Sequence, residues 1–158
     1  MKKGFVALIG TVIGAILGVG GSLFYSSKRI TEKEKKIAKF KNYYNMLNQW
    51  LALKQEGKSL ERYFVENDYK KIAIYGMGEM GNRLYEELKG TSIEIAYAID
   101  KNSSSIYSEL DFYELEDELP KVDVIVITAT FAFDEIVKTL EENVDMEVVS
   151  LEDVVYQS

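Results

Sequence analysis

Six residues, Gly76-Met77-Gly78-Glu79-Met80-Gly81, constrain the fold of this chain more than any others. They follow Lys71-Ile72-Ala73-Ile74-Tyr75, a short apolar run of the kind that forms a buried parallel strand. They precede a helix-forming stretch from Asn82 to Lys89; on a helix Met80, Leu84 and Leu88 share a face, and Gly90 ends the element. Between a strand and a helix, G-x-G-x-x-G acquires physical meaning. Gly76 allows the tight turn at the strand end. Gly78 removes a side chain where a diphosphate would approach the backbone, and Gly81 lets the helix close onto the strand. The helix N-terminus then offers unpaired N–H groups and the positive end of its dipole to the phosphates. Glu79, in the first turn, favours that dipole while pointing to solvent.

A second strand is predicted over Ile93–Ile99 and runs into Asp100, 19 residues beyond Gly81. A dinucleotide fold places there the acid that binds the adenosine ribose hydroxyls. Lys101 stands next to it, where it would offset the charge of a 2′-phosphate. Asp111-Phe112-Tyr113 reads as a rudimentary edge strand. A turn or brief helix over Glu114–Leu119 is closed by Pro120, the only proline. Val122–Thr128 is the strongest strand, followed by a helix over Phe133–Glu142, a strand over Met146–Val149 and a helical turn over Leu151–Tyr156. The expected class is α/β, a small Rossmann-like parallel sheet in the order 3-2-1-4-5. Its ligand crevice lies between Gly76–Gly81 and Thr128-Ala129-Thr130. The candidate cofactor-binding residues are therefore Gly76, Met77, Gly78, Glu79, Met80, Gly81, Asp100, Lys101, Thr128, Ala129 and Thr130.

The amino-terminal part is of a different kind. Residues 4–27 carry no charge, and the apolar run Phe5–Tyr25 is 21 residues long. As a helix it spans about 31 Å, close to a hydrocarbon core. The apolar stretch of a cleaved signal peptide runs only about 7–15 residues, which favours an uncleaved span. Seven basic residues (Lys28, Arg29, Lys33, Lys35, Lys36, Lys39 and Lys41) follow the run, against Lys2 and Lys3 before it. The positive-inside rule then places the C-terminal part in the cytoplasm, on a single-pass protein of the cell membrane. Ala7, Gly10, Gly14, Gly18 and Gly21 form a small-residue stripe suited to contact with another helix, in a homo-oligomer or a different membrane protein. The expected domains are a transmembrane anchor over 1–27, a helical stalk or linker over 28–67 and the nucleotide-binding domain over 68–158. In the stalk, Ile30, Ile37, Phe40, Tyr44, Leu47 and Leu51 recur at helical spacing. That stripe suits either a coiled coil or packing on the adjacent domain. A short helix follows, with Ser59 as its expected N-cap.

Charge and composition narrow the chemistry. Residues 1–41 carry net +7, and the remainder carries −14 of the overall −7. This excludes nucleic acid as partner of the whole chain and suits a basic segment at an anionic lipid surface. With no Cys and no His, serine-triad, His-based zinc and Cys–His chemistries are excluded, and no metal site is expected.

The stretch KKIAIYGMGEMGNRLYEELKG…IEIAYAIDKN, followed by VDVIVITAT, resembles small Rossmann domains of bacterial sugar-nucleotide enzymes. It is similar to the short "nucleoside-diphosphate-sugar epimerase" proteins and to the nucleotide-sugar domains appended to sugar acetyltransferases. Gly76, Gly78, Gly81 and Asp100 match that pattern. The resemblance implies a cytoplasmic domain that binds NAD, NADP or a nucleotide sugar and serves surface polysaccharide biosynthesis. It departs where the family's reductases and epimerases carry a catalytic Tyr-x-x-x-Lys beyond the fourth strand. The only apt match, Tyr85-x-x-x-Lys89, falls inside the helix after the glycine loop. Binding or regulation is thus expected rather than self-sufficient turnover, and no catalytic residue is assigned. A second resemblance is to nucleotide-gated regulatory domains of potassium transporters, although Ser103–Leu110 replaces their Gly-Asp-rich loop. A non-catalytic oligomeric membrane scaffold is the third reading.

Overall fold

The computed structural model describes residues 31–100 and 110–158. The chain separates into two units, Met1–Tyr43 and Tyr44–Ser158. Residues 31–55 are helical (α1), so the described part of the first unit, residues 31–43, is helix throughout. The expected membrane span and its glycine stripe lie outside the described residues. Among the described residues no helix is long and apolar enough to cross a membrane.

In the second unit α1 is followed by α2 (Glu61–Glu66), β1 (Lys71–Tyr75), α3 (Glu79–Leu88), β2 (Glu94–Ile99) and β3 (Asp111–Tyr113). β4 (Val124–Ile127), a 3₁₀ turn (Thr130–Ala132), α4 (Phe133–Glu141), β5 (Glu147–Ser150) and α5 (Leu151–Gln157) complete it. All five strands are parallel, in the order β3-β2-β1-β4-β5, as the sequence predicts. The order reverses between β1 and β4, which pair from Ile72↔Val124 to Tyr75↔Ile127.

β4 reads Val-Ile-Val-Ile and is buried at every residue, because a parallel sheet covered on both faces has no solvent side. Alternation divides β1 in the same way: Ala73 faces a core built with Tyr97, Ile125, Ile127 and Leu140 of α4, while Ile72 and Ile74 point to the opposite face. Right-handed crossovers set α3 and α4 on opposite faces of the sheet. Asp123 fixes the start of β1, its carboxylate accepting from the Lys70 and Lys71 N–H groups at 2.8 Å each. Those two bonds hold its pKa below the ordinary aspartate value.

The structure refines two local expectations. α2 begins at Glu61 with Leu60 in the N-cap position, one residue beyond the expected Ser59, whose hydroxyl still accepts from the Glu61 N–H at 3.2 Å. It donates to Glu87 Oε1 at 3.2 Å, the same carboxylate that Lys54 meets at 2.8 Å. Of the two readings of the α1 stripe, packing on the adjacent domain is not met: Ile37, Phe40, Tyr44 and Leu51 are exposed, and Met46, Trp50 and Leu53 are buried instead.

Candidate functional site

β1 ends at Tyr75, and the chain must turn sharply to enter α3. Gly76 makes that turn at φ +91°, a conformation side chains disfavour. A Cβ at Gly76 would also lie 3.0 Å from Thr128 Oγ1. α3 starts at Glu79, three residues earlier than the hydrophobic pattern indicates, because Gly78 itself is the N-cap. The helix therefore begins inside the glycine motif, and Glu79, Met80 and Gly81 form its first turn.

The three glycines are not alike. A Cβ at Gly81 would sit 2.2 Å from Gly76 O, so helix and loop touch backbone to backbone and only glycine fits. Gly78 has φ −72° and ψ −160°, open to any residue, and a Cβ there would meet nothing within 4 Å. It is exposed, has no side chain with which to cap the helix, and its carbonyl accepts the first helical bond, from Asn82 N at 3.0 Å. The N–H groups of Gly78, Glu79, Met80 and Gly81 thus have no intrahelical partner.

Asp100 stands at the carboxyl end of β2. Its backbone N–H donates to Tyr113 O at 3.1 Å, and its Oδ2 accepts from Met77 N at 2.7 Å. The half-buried carboxylate is thereby held against the second residue of the glycine loop. Thr128, at the end of β4, is buried and donates from Oγ1 to Gly76 O at 2.6 Å. The loop is therefore fastened from both neighbouring strands.

Of the residues expected at the site, Gly76, Met77, Gly78, Gly81, Asp100 and Thr128 are brought together. Glu79 is exposed at the loop. Met80 is 7% exposed on the core face of α3, so only its backbone N–H is available to a ligand. Lys101 lies outside the described residues. Thr130 and Ala129 pass into the 3₁₀ turn. Thr130 lines a cavity of 360 Å³ with Phe131, Asp134, Glu135, Glu152 and Asp153, and with no residue of the glycine loop. Four carboxylates there oppose a diphosphate. Tyr75 was not singled out by its sequence pattern, in which it is simply the last strand residue. Burial raises its pKa, and nearby Asp100 and Glu116 raise it further, so its hydroxyl stays protonated beside the loop. Tyr85 is buried at the far end of α3 from the glycine loop, and Lys89 Nζ stands 5.7 Å from its ring centroid. Among the described residues no group of three acidic side chains is placed to hold a metal ion.

A five-stranded parallel α/β domain, with a glycine turn fastened to an aspartate and a threonine at its strand ends, is the class that fold and site define. The model of the family described as C2185-like, N-terminal, matches residues 68–149, more than half of the chain. The chain belongs to that family. No curated protein matches it.

Proposed function

We propose that this protein is a membrane-anchored accessory or regulatory protein whose cytoplasmic Rossmann-like domain binds NAD, NADP or a nucleotide sugar, in the service of surface polysaccharide biosynthesis. The observation that carries the binding reading is Gly78. Backbone conformation accounts for Gly76 and close packing accounts for Gly81, whereas neither requires glycine at position 78. A bare, exposed backbone at a helix N-terminus, whose first N–H groups have no intrahelical partner, is what a phosphate needs in order to approach. Asp100 adds an acceptor at the adjacent strand end for ribose hydroxyls. The apolar run Phe5–Tyr25 and the basic residues after it support the anchor, and the resemblance to sugar-nucleotide domains supports the ligand class.

Titration calorimetry of the full chain in detergent with NAD(H), NADP(H) and UDP-, GDP- and dTDP-sugars tests this reading. Asp100→Ala should weaken binding about 10- to 100-fold, because a charge-assisted bond is lost. NAD should bind more tightly than NADP, since Asp100 repels a 2′-phosphate. Absence of heat with every ligand at millimolar concentration would eliminate these classes and leave the scaffold reading.

A further inference from the structure

α1 runs through the unit boundary and carries two apolar faces, of which the second unit buries one. Met46, Trp50 and Leu53 are 1–6% exposed and take the intramolecular face. Ile37, Phe40, Tyr44 and Leu51 are 56–70% exposed, and Leu47 is half-buried. At 100° per residue the second set lies about 130° around the helix from the first. The domain-packing role is thus already filled by other residues.

The spacing of the exposed set is 3, 4, 3, 4. That is a 3.5-residue repeat, whose positions drift about 20° per heptad on a straight helix and line up only when two helices supercoil. In heptad terms Ile37, Tyr44 and Leu51 occupy a positions, and Phe40 and Leu47 occupy d positions. Ile37 at a and Leu47 at d are of the kinds that favour two parallel strands, whereas Phe40, Tyr44 and Leu51 supply only apolar bulk. Lys33 and Lys54 hold the d positions beyond each end and confine the seam to five side chains. Lys54 is drawn aside by Glu87 at 2.8 Å, so its charge is answered within its own chain.

We propose that α1 pairs with α1 of a second copy of this chain, parallel and in register, through Ile37, Phe40, Tyr44, Leu47 and Leu51. A symmetric pair stacks each layer on itself and needs no second sequence. The parallel orientation rests on the membrane-anchor reading, because one span per chain puts all the amino-terminal ends on the same side. Leu47 and Leu51 also line an open groove of 620 Å³ between α1 and α3, whose other wall carries Glu79, Arg83, Glu86 and Glu87.

The chain has no cysteine, so single cysteines report contacts directly. In the full chain in membranes, Ile37→Cys and Tyr44→Cys should oxidise to disulfide-linked dimers. Lys35→Cys, on the far side of the helix, should remain monomeric. Adding Phe40→Asp and Leu47→Asp to Ile37→Cys should reduce its crosslinking at least tenfold, and Phe40→Leu alone should not. Crosslinking of Lys35→Cys equal to that of Ile37→Cys would overturn the proposal, as would crosslinking unmoved by the two aspartates. A disulfide formed by Ile37→Cys only with Lys54→Cys chains would overturn the parallel register. Sedimentation with membranes reports on the anchor separately: a soluble chain that still crosslinks at Ile37 and Tyr44 would keep the pairing and overturn the anchor.

Discussion

The β1–α3 turn and the β4–α4 turn stand at the carboxyl ends of adjacent central strands and are built oppositely. The first is three glycines deep, starts its helix on a bare backbone and is fastened by Asp100 and Thr128. The second has no glycine, interposes a 3₁₀ turn, and carries Asp134 and Glu135 in its first helical turn. Carboxylates there satisfy the helix dipole from within the chain. The first carries only Glu79 in its first helical turn. Equal topology therefore yields one glycine-built corner and one acidic corner.

Substitutions can break or sharpen this contrast. Gly81→Ala should have the largest effect, about 3 kcal/mol of lost stability by urea denaturation, because its Cβ would collide with the Gly76 carbonyl. If stability is unchanged, the close approach of helix and loop is not required. Gly78→Val should reverse the pattern, lowering affinity for the nucleotide about 100-fold. Its Tm should reflect a loss below about 1 kcal/mol, since valine is only a poorer N-cap. Equal loss of stability and affinity would make Gly78 a packing residue.

The two threonines extend the comparison. Thr128→Val should cost about 1–2 kcal/mol, because the Gly76 carbonyl loses its partner. At the base of β1, Asp123→Ala should cost about 0.5–1 kcal/mol near neutral pH, its exposed carboxylate being well screened. The sign follows from its lowered pKa. The stabilisation is present above the unfolded aspartate value of about 4 and disappears as pH falls through the lower folded value. Wild type and variant should therefore converge in acid, and a gap that persists there would exclude Asp123 as its source. The smallest change is expected at Thr130→Val. Thr130 Oγ1 is buried with no hydrogen-bond partner, so its removal should stabilise by about 0.5 kcal/mol. A loss of the Thr128 size would point instead to an ordered partner at that hydroxyl.

Much of this architecture was legible before any coordinates, because it is written in local patterns. β1 and β3 begin and end where their apolar runs do, and the strand order follows from alternating strands and helices joined by right-handed crossovers. The glycine motif and Asp100 could be named from spacing alone. The start of α3 was legible only in part: Glu79 could be placed in the first turn, yet the helix-forming run begins at Asn82, since hydrophobic periodicity is silent over a turn made of glycines and Glu79. The second bond made by the Ser59 hydroxyl could not be read locally either. Its acceptor, Glu87, is 28 residues away.

What the sequence determined by itself is the inventory: which segments are strands or helices, where the chain must turn, and which positions demand glycine. These depend on a residue and its near neighbours. The tertiary structure alone decided which apolar face of α1 is buried, that Gly78 is free of the packing that binds Gly81, and that Thr128 meets the loop while Thr130 does not. Each of these outcomes is a competition between groups distant along the chain. A side chain's burial or bond depends on the partner that folding delivers to it, and local spacing carries no record of that partner.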